Sequence, residues 1–146
     1  MELTWGDTTS PERNRMLAEW AGAMLGYSLS KPYSTLGVVD DGDLIAVVVF
    51  HNLSKRHGII ELSAASTSPR WLTRPVLKAM FGYPFDQLGV QLVVLRVSER
   101  NERMIDIALR FGFADYRIPR LRGRDEAEII LTLAAESWQA NRIHGR

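Results

Sequence analysis

Two consecutive segments in the second half of the chain constrain its fold most. Residues 91–97 (QLVVLRV) are almost continuously apolar, which predicts a β-strand covered on both of its faces. Residues 101–111 repeat apolar side chains at helical spacing, and Gly112 follows where a helix C-terminus is expected. A covered strand that leads directly into an amphipathic helix is typical of a mixed sheet with helices on its faces.

The remaining segments extend this α/β pattern. Residues 36–40 and 44–50 predict two strands joined by a hairpin, because the connecting Asp-Gly-Asp favours a tight turn. The stripe of Val76, Leu77, Met80 and Phe81 predicts a helix over 74–85. The other predicted elements are, in chain order, a strand over 58–65, strands over 113–118 and 127–133, and a short helix over 135–141.

An N-terminal helix is predicted to begin at Ser10, with its hydroxyl as the cap, Pro11 in the first turn and Glu12 near the positive end of the dipole. It runs to about Gly26. Its predicted buried stripe consists of Met16, Leu17, Trp20, Ala21, Met24 and Leu25.

The composition narrows the class of protein. The chain has 146 residues, 46% of them hydrophobic and 24% charged, which predicts a single globular domain over 1–146. A net charge of +1 gives no general attraction to nucleic acid or membranes. The absence of cysteine excludes thiol catalysis, thiolate metal sites and disulfides. Since the N-terminus is polar and no apolar run has membrane-spanning length, we expect a cytoplasmic protein without a membrane partner.

The order of elements, together with residues 101–113, resembles the GNAT superfamily of acyl-CoA-dependent N-acyltransferases. The match to the family pattern Asn-x-x-Ala-x-x-Leu-Tyr-x-x-x-Gly-Phe is at Asn101, Gly112 and Phe113, and the topological resemblance covers about residues 10–133. It implies a three-layer α/β/α fold and acetyl-CoA, or another acyl-CoA, as cofactor. It further implies a small-molecule or protein amine as acceptor, and a homodimer.

The resemblance also implies where the cofactor binds. In the family, the helix after the fourth strand receives the CoA pyrophosphate at its N-terminus, where free N–H groups favour anions. Here that junction contains Arg70, Trp71, Leu72, Thr73 and Arg74. Thr73 is a candidate cap and the two arginines would add positive charge. The alternative is a capped helix with two surface arginines.

The glycines of the family signature Gln/Arg-x-x-Gly-x-Gly/Ala are missing from this junction. Counted from Arg70, Thr73 and Pro75 stand in their place. The backbone of Ser63, Ala64 and Ala65 is implied to pair with the pantetheine amides. Asn101 is implied to bind the cofactor as well as to cap its helix.

Glu61 is the candidate general base. It alternates with Ser63 along a predicted central strand and has isoleucine and leucine neighbours, so burial disfavours its charged form. Some family members carry a catalytic glutamate at a similar place. The alternative is a salt-bridged glutamate without a chemical role. The tyrosine that many members use as an acid is replaced by Ala108, and Ser98, Tyr83 and Tyr116 are substitute candidates.

Two other interpretations stay open at this point. The arginine-rich residues 117–124 could bind nucleic acid, as in phage base-modifying relatives of the superfamily. The missing glycines and tyrosine could instead indicate a non-catalytic GNAT-like binding module. His51 and His57 bracket a predicted turn and have no third ligand nearby, so we predict loop histidines and no metal site.

Overall fold

A computed structural model describes residues 1–145 of the protein, which form a mixed seven-stranded sheet with helices on both faces. The strands are β1 (Glu2–Gly6), β2 (Tyr33–Asp40), β3 (Asp43–Ser54), β4 (Ile59–Ser66), β5 (Leu92–Ser98), β6 (Ala114–Ile118) and β7 (Glu128–Ala134). The helices are α1 (Pro11–Leu25), α2 (Arg74–Gly82), α3 (Glu102–Phe111) and α4 (Ala135–Gln139). A π-helical turn, Tyr83–Gln87, extends α2, and a 3₁₀ turn covers Arg142–His144.

The strand order is β1-β2-β3-β4-β5-β7-β6. The β4–β5 pair is parallel and the other five neighbouring pairs are antiparallel. Helix α1 packs against β1 to β4 on one face, around a cluster that includes Leu17, Val47 and Val49. The larger core lies on the other face, where α2, α3 and α4 cover it. The predicted three-layer α/β/α architecture is confirmed.

Most predicted elements are present with nearly the expected bounds. The hairpin between β2 and β3 turns at Asp41 and Gly42, whose φ angles of 51° and 84° are those of the left-handed turn that such hairpins favour. Helix α3 ends at Gly112, with a φ of 120°. No helix among residues 1–145 combines the length and apolarity required to cross a bilayer.

Four expectations about the elements were wrong, three of them in the N-terminal region. Strand β1 was missed because its polar residues pair only with the edge of β2 and one face stays exposed. The Ser10 hydroxyl does not cap α1; it accepts a hydrogen bond from the Asp7 backbone N–H at 3.1 Å.

The buried stripe of α1 also differs from the prediction. Met16 and Met24 are 58% and 47% exposed, and the helix instead buries Asn14, Leu17, Ala18, Ala21 and Gly22. Gly22 has no room for a side chain because the loop after α1 passes close to it: a Cβ there would lie 2.7 Å from the Tyr27 carbonyl oxygen. Leu17 and Ala21 of the predicted stripe are buried, and Trp20 and Leu25 are partly buried against the same cluster, so the prediction was wrong at Met16 and Met24 only.

Strand β5 is covered on one face only. Val93 and Leu95 are buried in the larger core, whereas Arg96 on the opposite face is exposed. The reason is that α1 lies over β1 to β4 and does not reach β5. The sheet therefore has an open area beside β5 on the α1 face.

Candidate active site

Strands β4 and β5 separate halfway along their length. They pair from Ile59–Leu92 to Leu62–Leu95, and beyond Leu62 no residue of β4 pairs with β5. Residues 63–66 remain bonded to β3 on their other side. Their backbone groups that point toward β5 therefore have no strand partner among residues 1–145, and an extended ligand can bind to them as a strand would.

A slot of about 220 Å³ lies where the two strands separate. Its walls include Ser63 and Ala64 from β4, and Leu95 and Arg96 from β5. Leu95 belongs to the face covered by α2 and α3, whereas Arg96 belongs to the α1 face. The slot therefore passes through the sheet from one face to the other.

Each end of the slot adjoins a further cavity. On the α3 side is a cavity of about 360 Å³, the α3 cavity, which shares Ala64, Asn101 and Met104 with the slot. Beside the C-terminal half of α1 is a cavity of about 540 Å³, the α1 cavity, which shares Tyr27 with the slot. The slot and the α3 cavity form one groove with two mouths, one on each face of the sheet, and Tyr27 is a wall that its α1-face mouth shares with the neighbouring α1 cavity.

Most residues predicted to bind the cofactor come together in this groove. Ser63 and Ala64 line the slot, and Ala64, Ala65, Trp71 and Leu72 line the α3 cavity. Trp71 is 4% exposed and is part of the larger core.

Asn101 lines both the slot and the α3 cavity. Its side chain also caps α3, as expected, by accepting a hydrogen bond from the Met104 backbone N–H at 3.3 Å. One residue therefore connects the start of α3 to the groove.

The predicted phosphate socket at the start of α2 is arranged differently. Arg70, Thr73 and Arg74 line neither the slot nor the cavities beside it. The Arg74 guanidinium instead donates a hydrogen bond to the Ile143 carbonyl oxygen. Thr73 occupies the N-cap position, but its hydroxyl makes no capping hydrogen bond. Diphosphate binding by these three residues stays a prediction.

Arg103 is a groove residue that sequence reasoning missed. It follows Asn101 in the first turn of α3 and lines the α3 cavity, where its guanidinium donates to the Pro69 carbonyl oxygen at 3.2 Å. It thus connects the start of α3 to the loop after β4. Its position two residues after a matched family asparagine was the available signal.

Glu61 lies in the paired part of β4 and lines none of the three cavities. Its carboxylate accepts a hydrogen bond from Asn52 Nδ2 at 3.2 Å and lies 3.7 Å from His51 Nε2. The same His51 nitrogen is 2.8 Å from Ser63 Oγ. A chain of polar groups therefore leads from the slot, at Ser63, through His51 to Glu61.

The prediction that His51 is a loop histidine was wrong. Strand β3 continues to Ser54, and His51 lies within it, opposite Glu61 and only 7% exposed. Burial lowers the pKa of His51 below its ordinary value of 6.5, and the Glu61 charge opposes part of that effect. The polar residues after Phe50 hid the continuation of the strand. Among residues 1–145, no three potential ligand side chains are grouped to hold a metal ion.

The arginine-rich region is held by internal ion pairs. Glu128 is 6% exposed and binds Arg96 at 3.1 Å and Arg122 at 2.9 Å, one on each carboxylate oxygen. Arg117 binds Glu99 at 3.2 Å. Two of the four arginines in residues 117–124, Arg117 and Arg122, therefore bind carboxylates of the same chain, so fewer of their N–H groups are free to bind phosphates of a nucleic acid.

The substitute acid candidates are spread over three places. Ser98 lines the slot and donates to a Glu126 carboxylate oxygen. The Tyr83 hydroxyl accepts from Ser34 Oγ at 3.0 Å in a separate aromatic cluster. Tyr116 is exposed on β6. Only Ser98 is near the slot.

No protein-family model matches the sequence, and no curated protein matches it. Solved structures do match. A chimera of spermidine N-acetyltransferase SpeG from Vibrio cholerae and hSSAT is 13% identical, with a TM-score of 0.74 over 97% of this chain and 100% of that one. The dodecameric Vibrio cholerae enzyme is 13% identical, with a TM-score of 0.69 over 93% and 95%. Mutant forms of that enzyme reach 16% identity and a TM-score of 0.66 over 74% and 67%. The chain therefore has the fold of the GNAT acetyltransferases.

Proposed function

We propose that the protein is an N-acetyltransferase that moves an acetyl group from acetyl-CoA to a primary amine by direct attack in a ternary complex. The observation that supports this most is the groove through the separated strands β4 and β5, which has one mouth on each face of the sheet. A donor that fills the slot from the α3 side presents its end to an acceptor on the α1 side. The fold shared with spermidine N-acetyltransferases agrees with this chemistry.

The residues of the α3 side suit an acyl-CoA. The unpaired backbone of residues 63–66 matches the amides of a pantetheine arm. The diphosphate would bind near the start of α3, where Arg103 and the free N–H groups of the first turn both favour anions. Acetyl-CoA, when bound, supplies the activated acetyl thioester. Leu72 and Met104 line the cavity and exclude water from the arm.

The acceptor has to lose a proton before its nitrogen can attack, and Ser63 and His51 provide a route. Ser63 Oγ lines the slot and would take a proton from the ammonium while giving its own to His51 Nε2, 2.8 Å away. Because burial lowers the pKa of His51, the imidazole is neutral at neutral pH and can accept this proton.

Glu61 has a supporting part in this route. It does not line the groove, so it acts through His51: its carboxylate, 3.7 Å away, stabilises the imidazolium that forms. We therefore retain Glu61 in the machinery, as the electrostatic partner of the base. The amine nitrogen would then bond to the acetyl carbon as the carbon–sulfur bond breaks, and the second proton lost from the nitrogen would go to the departing thiolate.

Calorimetry with acetyl-CoA, followed by an assay of thiol release with a panel of primary amines, tests the proposal. We expect micromolar binding and thiol release that depends on the amine. The absence of acetyl-CoA binding would contradict the proposal. Binding without transfer to any amine would favour the non-catalytic module.

A further inference from the structure

The acceptor side of the groove carries more positive than negative charge. Among the described residues, the charged side chains lining the α1 cavity and the slot are Arg15, Glu19, Lys31, Arg96 and Arg122. Glu19, the single acid, has Arg15 at 4.0 Å. A ligand in this part of the groove therefore meets a positive potential.

Arg96 and Arg122 are both held in position by one buried carboxylate. The buried Glu128 carboxylate binds Arg96 Nη2 at 3.1 Å and Arg122 Nε at 2.9 Å. Two cations share one anion, which leaves a net positive charge beside the slot. The remaining N–H groups of both guanidiniums have no other partner among residues 1–145, and their side chains are 43% and 36% exposed. Such a preorganised pair can bind an anion bidentately.

We propose that the acceptor is an amine that also carries a carboxylate or phosphate group, which Arg96 and Arg122 bind while the amine reaches Ser63. This rests on the proposed function and narrows its substrate class. A polyamine, whose second ammonium would lie among these arginines, is disfavoured by charge repulsion. The positive surroundings also favour the neutral form of the attacking amine, which is the reactive one.

Matched acceptors test the charge requirement. One set is γ-aminobutyrate, butylamine and putrescine; a longer set is ε-aminocaproate, hexylamine and hexamethylenediamine. Within each set the reacting amine is the same and only the far end changes. We expect kcat/KM with acetyl-CoA to be highest for the amino acid in at least one set, by about tenfold over the alkylamine, the ratio that ~1.4 kcal/mol gives. The diamine should be the poorest. Comparing O-phosphoethanolamine with ethanolamine distinguishes phosphate from carboxylate.

Variants assign the preference to the two arginines. Arg96→Gln and Arg122→Gln should each reduce the ratio of kcat/KM for the amino acid to kcat/KM for the alkylamine. Arg124→Gln is the matched control, because Arg124 is exposed in the same loop and has no ion pair among residues 1–145. If the glutamine variants fold poorly, Arg96→Lys replaces them in this test, because lysine keeps a charge that can pair with Glu128.

The outcomes separate this proposal from the proposed function. A preference for the diamine, or a ratio unchanged in both arginine variants, would overturn the acceptor class. Binding of acetyl-CoA without transfer to any of these compounds would overturn it too, while the cofactor site stands. Failure to bind acetyl-CoA would instead overturn the proposed function itself.

Discussion

The starts of α2 and α3 are two similar regions with different surroundings. Each helix follows a strand of the parallel β4–β5 pair, and each has an arginine in its first turn, Arg74 or Arg103. Arg74 is hydrogen bonded to the Ile143 carbonyl oxygen, and the start of α2 lies outside the groove. Arg103 lines the α3 cavity with Asn101. A helix start after a strand is thus accessible to a ligand only when the rest of the chain leaves it uncovered.

The largest effect should come from the loop before α2. Trp71→Ala should lower the free energy of unfolding by about 3–5 kcal/mol, because it leaves a cavity in the larger core. Urea denaturation measures this, with the half-buried Leu72→Ala as control. If Trp71→Ala kept its stability and lost only its acetyl-CoA affinity, Trp71 would be a ligand-binding residue. The regions before α2 and α3 would then both bind the cofactor.

Next is a substitution at the slot. Ser63→Ala should lower kcat/KM about a hundredfold, the size expected for loss of a proton-transfer group. Acetyl-CoA affinity should not change, since the backbone of β4 remains. Ser63→Thr should restore much of the rate, and Ser66→Ala on the same strand is the control. Full activity in Ser63→Ala would exclude the route to His51.

The comparison of the two helix starts is tested directly at α3. Arg103→Ala should weaken acetyl-CoA binding about tenfold, because a charge-assisted bond to a phosphate is lost. Arg110→Ala, at the other end of the same helix, should have little effect. Calorimetry with acetyl-CoA measures both affinities. Equal affinities in the two variants would contradict diphosphate binding at the start of α3.

At α2 we expect the converse result. Arg74→Ala should leave acetyl-CoA affinity unchanged and lower the unfolding free energy by about 1 kcal/mol, the usual value of one hydrogen bond. Lys78→Ala, exposed on the same helix, controls for general effects. If Arg74→Ala instead weakened binding as much as Arg103→Ala, the socket predicted from the sequence would be the correct one.

The smallest effect concerns pH and His51. Its pKa is lowered in the folded protein, so between 6.5 and that lower value the unfolded chain holds more protons and stability falls as the pH falls. Tyr33, beside His51 in β2, stays uncharged because burial raises its pKa.

We expect His51→Gln to show a smaller loss of stability than the wild type when urea denaturation above and well below pH 6.5 is compared. Glu61→Gln, which removes the charge opposing the shift, should lower the pKa of His51 further and widen the window. An identical pH dependence in the wild type and His51→Gln would contradict burial of the ring.

The local patterns predicted the fold well and the site in part. The hairpin at Asp41–Gly42 and the end of α3 at Gly112 follow from backbone preferences of a few adjacent residues. The unpaired backbone of residues 63–66 depends on the separation of two strands, which periodicity does not encode. The expectation that this backbone binds a ligand came from the resemblance of the chain to the GNAT superfamily.

The side-chain contacts were beyond local patterns. Whether Arg74 binds a ligand or Ile143 depends on a residue near the other end of the chain. His51 looked like a turn residue, and its partners Glu61 and Ser63 are known only once the register of β3 and β4 is known. In both cases the deciding partner is distant in sequence.

Because the slot opens on both faces of the sheet, two ligands can enter it from opposite faces. In the proposed reaction, donor and acceptor arrive from opposite faces of the sheet, and neither product has to pass the other on leaving. That reaction would therefore allow a bulky acceptor, even one attached to a larger molecule, to dock on the α1 face while CoA leaves on the α3 face.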